Sequence, residues 1–168
     1  MRIAECFKEQ IMIIRRLSFL VLVLITFVQS PVVLQAQSSC PPTAPDAEGP
    51  FYKPSVPLRD RTGSGLVISG KVLAADSCLP IPGSRVEWWQ ANPQGSYDDA
   101  HRGALITDSA GEYRLETDVP PPYYGRPPHV HFKIMAPGYS TLTTQIYPGK
   151  GEVKMTFDFV LMTVTGRR

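Results

Sequence analysis

Two histidines one residue apart, His129 and His131, alternate with apolar Val130, Phe132 and Ile134. In an extended strand, side chains two apart share a face. Val130, Phe132 and Ile134 then face a core, and the two imidazoles point together the other way. Their backbones lie roughly 6–7 Å apart, so both rings can reach one metal ion. Neutral imidazole is the commonest metal ligand. Just upstream stand Tyr123, Tyr124, Gly125 and Arg126. Phenolate oxygen is a hard, anionic donor that suits ferric iron better than zinc or cuprous copper. The plainer reading is an ordinary strand carrying two surface histidines.

The third histidine, His101, and another tyrosine, Tyr97, lie in the preceding stretch. Tyr97, His101, Tyr123, Tyr124, His129 and His131 all fall in loops or at strand starts, where rigid scaffolds usually build sites. Two imidazoles and two phenolates give a ferric ion four ligands and two negative charges, with a fifth position for water or hydroxide and room for a substrate. A second arrangement uses His101, His129 and His131 as a three-histidine zinc site open to water. Phe51 and Tyr52, after the turn Glu48-Gly49-Pro50, are loop aromatics of the kind that pack a loop down, and Tyr52 can alternatively reach a pocket.

The elements that must hold these residues are short. Leu66 to Ala74 alternates as a strand with Leu66, Ile68, Val72 and Ala74 on one face. Arg85 to Gln90 is a second strand, with Trp88 and Trp89 on opposite faces. Ala91 to Gly103 reads as a loop, followed by a short strand over 104–107. Asp108-Ser109-Ala110-Gly111 is a turn into a strand over 112–116. Further strands follow over 129–135, 141–147 and 155–164. About seven short strands separated by turn signals predict an all-β, antiparallel β-sandwich. Residues 37–62, rich in proline and without periodicity, read as an extended N-terminal arm, and residues 63–168 as the sandwich. No repeat, heptad or phosphate loop is visible.

The composition agrees. Seventeen prolines and 13 glycines among 168 residues imply many turns. Of the 17 basic and 15 acidic residues, four and two lie in the first 36, leaving 13 of each sign. That balance offers no basic surface for nucleic acid. Arg15-Arg16 precede an apolar run, Leu17 to Val28, and small residues follow near Ser30 and Ala36. This is the pattern of a secretory signal, and the run is short for a membrane span. Residues 1–36 are therefore expected to direct export to the periplasm or outside, or to tether the chain if they stay uncleaved. Membrane contact is expected only there. Cys6 lies in that segment. Cys40 and Cys78 remain, and an oxidising compartment favours a disulfide between them.

Several motifs in register resemble one family. Gly70-Lys71-Val72-Leu73 leads to Pro80-Ile81-Pro82-Gly83-Ser84-Arg85-Val86-Glu87-Trp88-Trp89-Gln90-Ala91-Asn92-Pro93-Gln94-Gly95-Ser96-Tyr97. Then come Thr107-Asp108-Ser109-Ala110-Gly111-Glu112-Tyr113, the run Tyr123 to Phe132, and Leu142-Thr143-Thr144-Gln145-Ile146-Tyr147. Over roughly residues 46–164 the chain resembles the intradiol ring-cleavage dioxygenases, nearest to protocatechuate 3,4-dioxygenase-like proteins, as a small exported member. The resemblance implies one non-haem ferric ion, Fe(3+), held by Tyr97, Tyr123, His129 and His131, with Tyr124 competing for the place of Tyr123. It places Arg126 and Gln145 beside the substrate, a catechol cleaved with O2 to a muconate-type diacid. Tyr123 would act as base. His101 matches no ligand of the family. The chain lacks the long N-terminal helical region of the catechol-cleaving branch, so the pocket is either open or walled by a neighbouring copy in a homo-oligomer. The strand, turn and Asp-x-x-Gly-x-Tyr pattern also resembles small prealbumin-like binding modules, which explains the scaffold and leaves the Tyr, Arg and His window without a use.

Overall fold

Eight strands in two sheets make up the computed structural model, which describes residues 39–164. The expected export segment and Cys6 lie outside the described residues. Strand β1 is Gly65–Ala74, β2 Arg85–Ala91, β3 Tyr97–Ile106 and β4 Glu112–Asp118. Strand β5 is Val130–Met135, β6 Leu142–Ile146, β7 Lys154–Thr156 and β8 Phe159–Leu161. One sheet runs β4-β1-β7, with β8 also on β1; the other runs β3-β2-β5-β6.

The alternation in the sequence sorts side chains between the layers. Leu66, Ile68 and Val72 of β1 meet Val86 and Trp88 of β2 and Val130, Phe132 and Ile134 of β5 in the core, all fully buried. Burying each such side chain stabilises the fold by about 1.5–3 kcal/mol. The second sheet has a large role on its other face. There Trp89 pairs across the strands with His131, and His131 with Gln145. The arm starts beside the first sheet, where Thr43 N bonds to Val160 O, passes the edge strand β6, and lays Gly49 and Tyr52 over this face against His131 and Trp89. Asp46 N bonds to Thr143 O, Thr144 Oγ1 to Ala44 O, and Cys40 is joined to Cys78 by a disulfide.

Two expectations about the strands need correction. Residues 97–103 are not loop: β3 begins at Tyr97 and pairs with β2. Asp and Gly are poor strand formers, and pairing with β2 overrides their preference. The last strand is two, β7 and β8, and both run parallel to β1. The chain swings over β1 between them, and Phe157 O lies 1.9 Å from where a Cβ on Gly70 would stand. Only glycine admits that crossing.

Candidate metal centre

The rows of the second sheet bring the chemistry together. His131 occupies β5 beside Trp89, whose indole stacks on its ring at 5.1 Å and 10°. His129, just before β5, points to the same face, and both rings are buried. Tyr97 arrives from β3 through a bulge. The register passes from Trp89↔Arg102 to Ala91↔Tyr97, so residues 98–101 stand against Gln90 alone. Such a bulge re-aims the strand that carries it. The result is a hydroxyl, Tyr97 Oη, 3.2 Å from His129 Nε2 and 3.1 Å from His131 Nε2. Tyr123 stands edge-on to Tyr97 at 5.2 Å between ring centres.

These donors fit a cation. Two ligands each about 2.0–2.1 Å from one ion lie about 3 Å apart, which is the spacing found. His129 Nδ1 donates to the carbonyl of Pro127 at 2.8 Å. A carbonyl only accepts, so the proton sits on Nδ1 and the Nε2 lone pair faces Tyr97, the arrangement that orients metal-ligating histidines. His131 Nδ1 is buried without a well-formed hydrogen bond, although the backbone of Ala47 acts on the ring. Burial, then His129 and Arg126, depress the His131 pKa to about 4, so the ring is neutral at physiological pH. Burial, reinforced by Tyr123, pushes Tyr97 up to about 12 against the pull of Arg126. A phenol so placed loses its proton readily only to something strongly positive. Two phenols and two imidazoles make a hard set that matches a ferric ion.

Tyr123 and Arg126 face each other across a tight turn. Their backbones exchange hydrogen bonds of 3.1 and 2.9 Å. Tyr124 and Gly125 form its tip, both with positive φ, 48° and 74°. The tip turns the Tyr124 ring outward, 90% exposed. Of the two tyrosines, Tyr123 is thus the one held beside Tyr97.

Arg126 Nη2 donates to Gln145 Oε1 and to Tyr147 Oη, both at 2.8 Å. Tyr147 donates in turn to Asp46 Oδ2 at 2.7 Å, and Gln145 Nε2 to Ala47 O at 2.6 Å. The hydrogen bond from Tyr147 is the main reason the Asp46 carboxyl stays below the usual carboxylate range. A cavity bounded by Gly49, Pro50, Phe51, Tyr97, Tyr123, Tyr124, Arg126, His129 and His131 opens over the donors. Phe51 stacks on Tyr97 at 4.2 Å. The pocket role expected of Tyr52 falls to Phe51. Tyr52 turns the other way, donating to Glu87 Oε2 at 3.0 Å beneath the Lys133 ammonium. The sequence assigned no place at the site to Asp46, Gly49, Phe51 or Tyr147. Tyr147 had a signal, two residues after Gln145 and hence on its side of the chain.

His101 does not join the other histidines. Its Nδ1 is 2.8 Å from Asp98 Oδ1 and its Nε2 3.0 Å from Asp118 Oδ2, so both ring nitrogens are engaged. No three His, Cys, Asp or Glu side chains among the described residues gather as a metal site. The three-histidine zinc arrangement is thereby corrected. The binding-module reading left Tyr97, Arg126, His129 and His131 unused, yet they line one cavity.

Comparison with known proteins points to one family. A dioxygenase family model (Dioxygenase_C) matches residues 44–127, half of the chain. Chlorocatechol 1,2-dioxygenase of Cupriavidus pinatubonensis (strain JMP 134 / LMG 1197) is 32% identical over 139 residues, covering 62% of this chain and 54% of that protein. The chain spans about half the length of the curated relatives it matches. Among solved structures, the dioxygenase domain of a dioxygenase carbohydrate-binding protein fusion from Streptomyces sp. SirexAA-E superposes with a TM-score of 0.67 at 34% identity. That match covers 74% of this chain and all of that one. Chlorocatechol 1,2-dioxygenase from Pseudomonas putida superposes with a TM-score of 0.62 at 26% identity, covering 71% and 72%. Fold, donor set and similarity converge: the chain belongs to the intradiol ring-cleavage dioxygenase family.

Proposed function

We propose that the protein opens the ring of a catechol between its two hydroxylated carbons, using O2 and a non-haem ferric ion. One ring C–C bond breaks, both oxygen atoms enter, and a muconate-type diacid results. The observation that carries this reading is the Tyr97 hydroxyl set 3.1–3.2 Å from Nε2 of both His129 and His131, with Tyr123 at its edge. A ferric ion held by Tyr97, Tyr123, His129 and His131 would supply Lewis acidity and a template for the two substrate oxygens.

The chain's own residues do the rest. His129 and His131 both present Nε2 to the site, the first ring oriented by Pro127 and the second kept uncharged chiefly by burial. Tyr97 is clamped between Phe51 and the imidazoles and stays in place. Tyr123, on the more exposed turn, is the tyrosine free to swing, and its Oη takes the proton of a catechol hydroxyl. Arg126, steadied by Gln145 and Tyr147, puts a fixed positive charge at the pocket where negative charge grows on the substrate. Preorganised charge of this kind is usually the largest catalytic contribution. Phe51 and Pro50 give the flat ring an apolar wall. The disulfide between Cys40 and Cys78 and the basic-then-apolar N-terminus support an exported setting for the reaction.

The test is a visible absorption spectrum of the iron-loaded protein before and after a catechol is added. Tyrosinate on ferric iron gives a broad visible band, which should shift as the catechol binds, with one O2 consumed per catechol. A colourless protein with full iron, or one that takes up zinc alone, would overturn the reading.

A further inference from the structure

Tyr124 is an expensive residue in its position. It is the first of the two tip residues of the Tyr123–Arg126 turn, at φ 48°. Asn, Asp or Gly fill such left-handed tips readily, and a bulky aromatic does so only under strain. Its ring is 90% exposed and covers none of the core. Its packing within the chain is an edge contact on Tyr123, 4.8 Å between ring centres. Backbone strain with no structural return marks a functional position. The ring stands at the mouth of the cavity over the donors, and Pro50, Phe51 and Tyr123 continue an aromatic and apolar wall inward from it.

The cavity is also larger than one ring needs. It encloses about 410 Å³, whereas a void of roughly 150 Å³ suffices for benzene. With the catechol oxygens directed toward the donors Tyr97, His129 and His131, the lining left for the rest of a substrate includes Pro50, Phe51 and Tyr124.

We propose that Tyr124 is a specificity-determining platform on which a second flat, apolar or aromatic group of the substrate stacks, so that the preferred substrates are catechols extended by an aryl or similar planar group rather than bare catechol. The inference rests on the ring-cleavage reading of the site. The strained turn holds the phenol ring at the mouth of the pocket. An extended substrate would cover its exposed face. Stacking of this kind gives about threefold to tenfold in kcat/KM.

The experiment compares kcat/KM for two substrates, bare catechol and a catechol with a phenyl group para to one hydroxyl. Wild type, Tyr124→Phe and Tyr124→Gly are measured in parallel, each with its melting temperature. The wild type should favour the phenyl-bearing substrate. Tyr124→Phe should keep that preference, because the ring remains. Tyr124→Gly should lower the ratio about threefold to tenfold, mainly through KM. It should also melt about 2–4 °C higher, because the strained position is relieved. A higher melting temperature with lost preference excludes a damaged turn as the cause. If Tyr124→Gly keeps the wild-type ratio while both substrates are cleaved, the platform is overturned and ring cleavage stands. If the wild type cleaves neither substrate, the ring-cleavage reading falls and the platform with it.

Discussion

The hydroxyl of Tyr97 stands 3.1 Å from Nε2 of His131, 34 residues away in sequence and on a strand that does not pair with its own. Strand β2 lies between them and sets the spacing, through Trp89↔His131 on one side and Ala91↔Tyr97 on the other. Removing that hydroxyl is the most direct probe of the donor set. Tyr97→Phe keeps the stack on Phe51 and hence the fold. It should cost at least about tenfold to a hundredfold in iron affinity and change the visible band, as measured by bound iron and absorbance. Full iron content with an unchanged band would remove Tyr97 from the ligands.

Gln145 and Tyr147 hold Nη2 of Arg126 at the pocket, and Asp46 anchors Tyr147. Arg126→Ala should lower kcat about a hundredfold or more with iron retained. Tyr147→Phe deletes the anchor but leaves Gln145, so its loss should be smaller, about tenfold or less. Steady-state kinetics on iron-matched samples decides; equal losses in the two variants would contradict this order.

Gly49 has φ 72°, and a Cβ there would sit 3.2 Å from His131 Cε1. The backbone cost of an alanine in the left-handed region is about 1–2 kcal/mol. The added methyl also presses on the imidazole. Gly49→Ala should therefore lower the denaturation midpoint and perturb the visible band together, which urea melts and spectra on the same samples can show. A midpoint shift with an untouched band would mean that the arm yields and the histidine does not.

His101 bridges Asp98 on β3 and Asp118 at the end of β4, linking the two sheets. Burial opposes its charge, but the two carboxylates outweigh it, and its pKa is raised above 6.5. Its contribution is therefore fully present below pH 6.5 and is lost as pH rises through the higher folded value. Asp98 lies at about 2, where hydrogen bonds from Asn92 and His101 overcome burial. Its contribution is present above 3.8 and fades as pH falls toward 2. The cluster stabilises most between about pH 4 and 6.5. His101→Gln should cost about 1–2 kcal/mol near pH 5.5, allowing for the partly exposed carboxylates, and less at pH 9. Urea titrations at both values check it; a cost independent of pH would show that the charge on His101 contributes nothing.

Much of the scaffold could be read locally. Val130, Phe132 and Ile134 in the core and His131 on the other face follow from a period of two alone, and Trp88 and Trp89 divide in the same way. Turns at Asp108–Gly111 and Ala136–Gly138 carry their own chemistry. Those signals need only neighbouring residues. The strand status of 97–103 was hidden because its pairing with β2 outweighs weak propensities, and the split of the last strand because its partner, β1, lies more than 80 residues away.

The site divides similarly. Residue types and spacing gathered Tyr97, His101, Tyr123, Tyr124, His129 and His131 as a metal-ligating window, because such a set is a chemical choice written in side chains; the family resemblance is what narrowed it to Tyr97, Tyr123, His129 and His131 and added Arg126 and Gln145. Which of Tyr123 and Tyr124 turns inward was decided by the backbone of one tight turn. The roles of Asp46, Gly49, Phe51 and Tyr147 were decided by where the arm settles on the second sheet, some hundred residues from its contacts. No local period records such a contact. It exists only once the tertiary structure has brought the two surfaces together, burying one against the other.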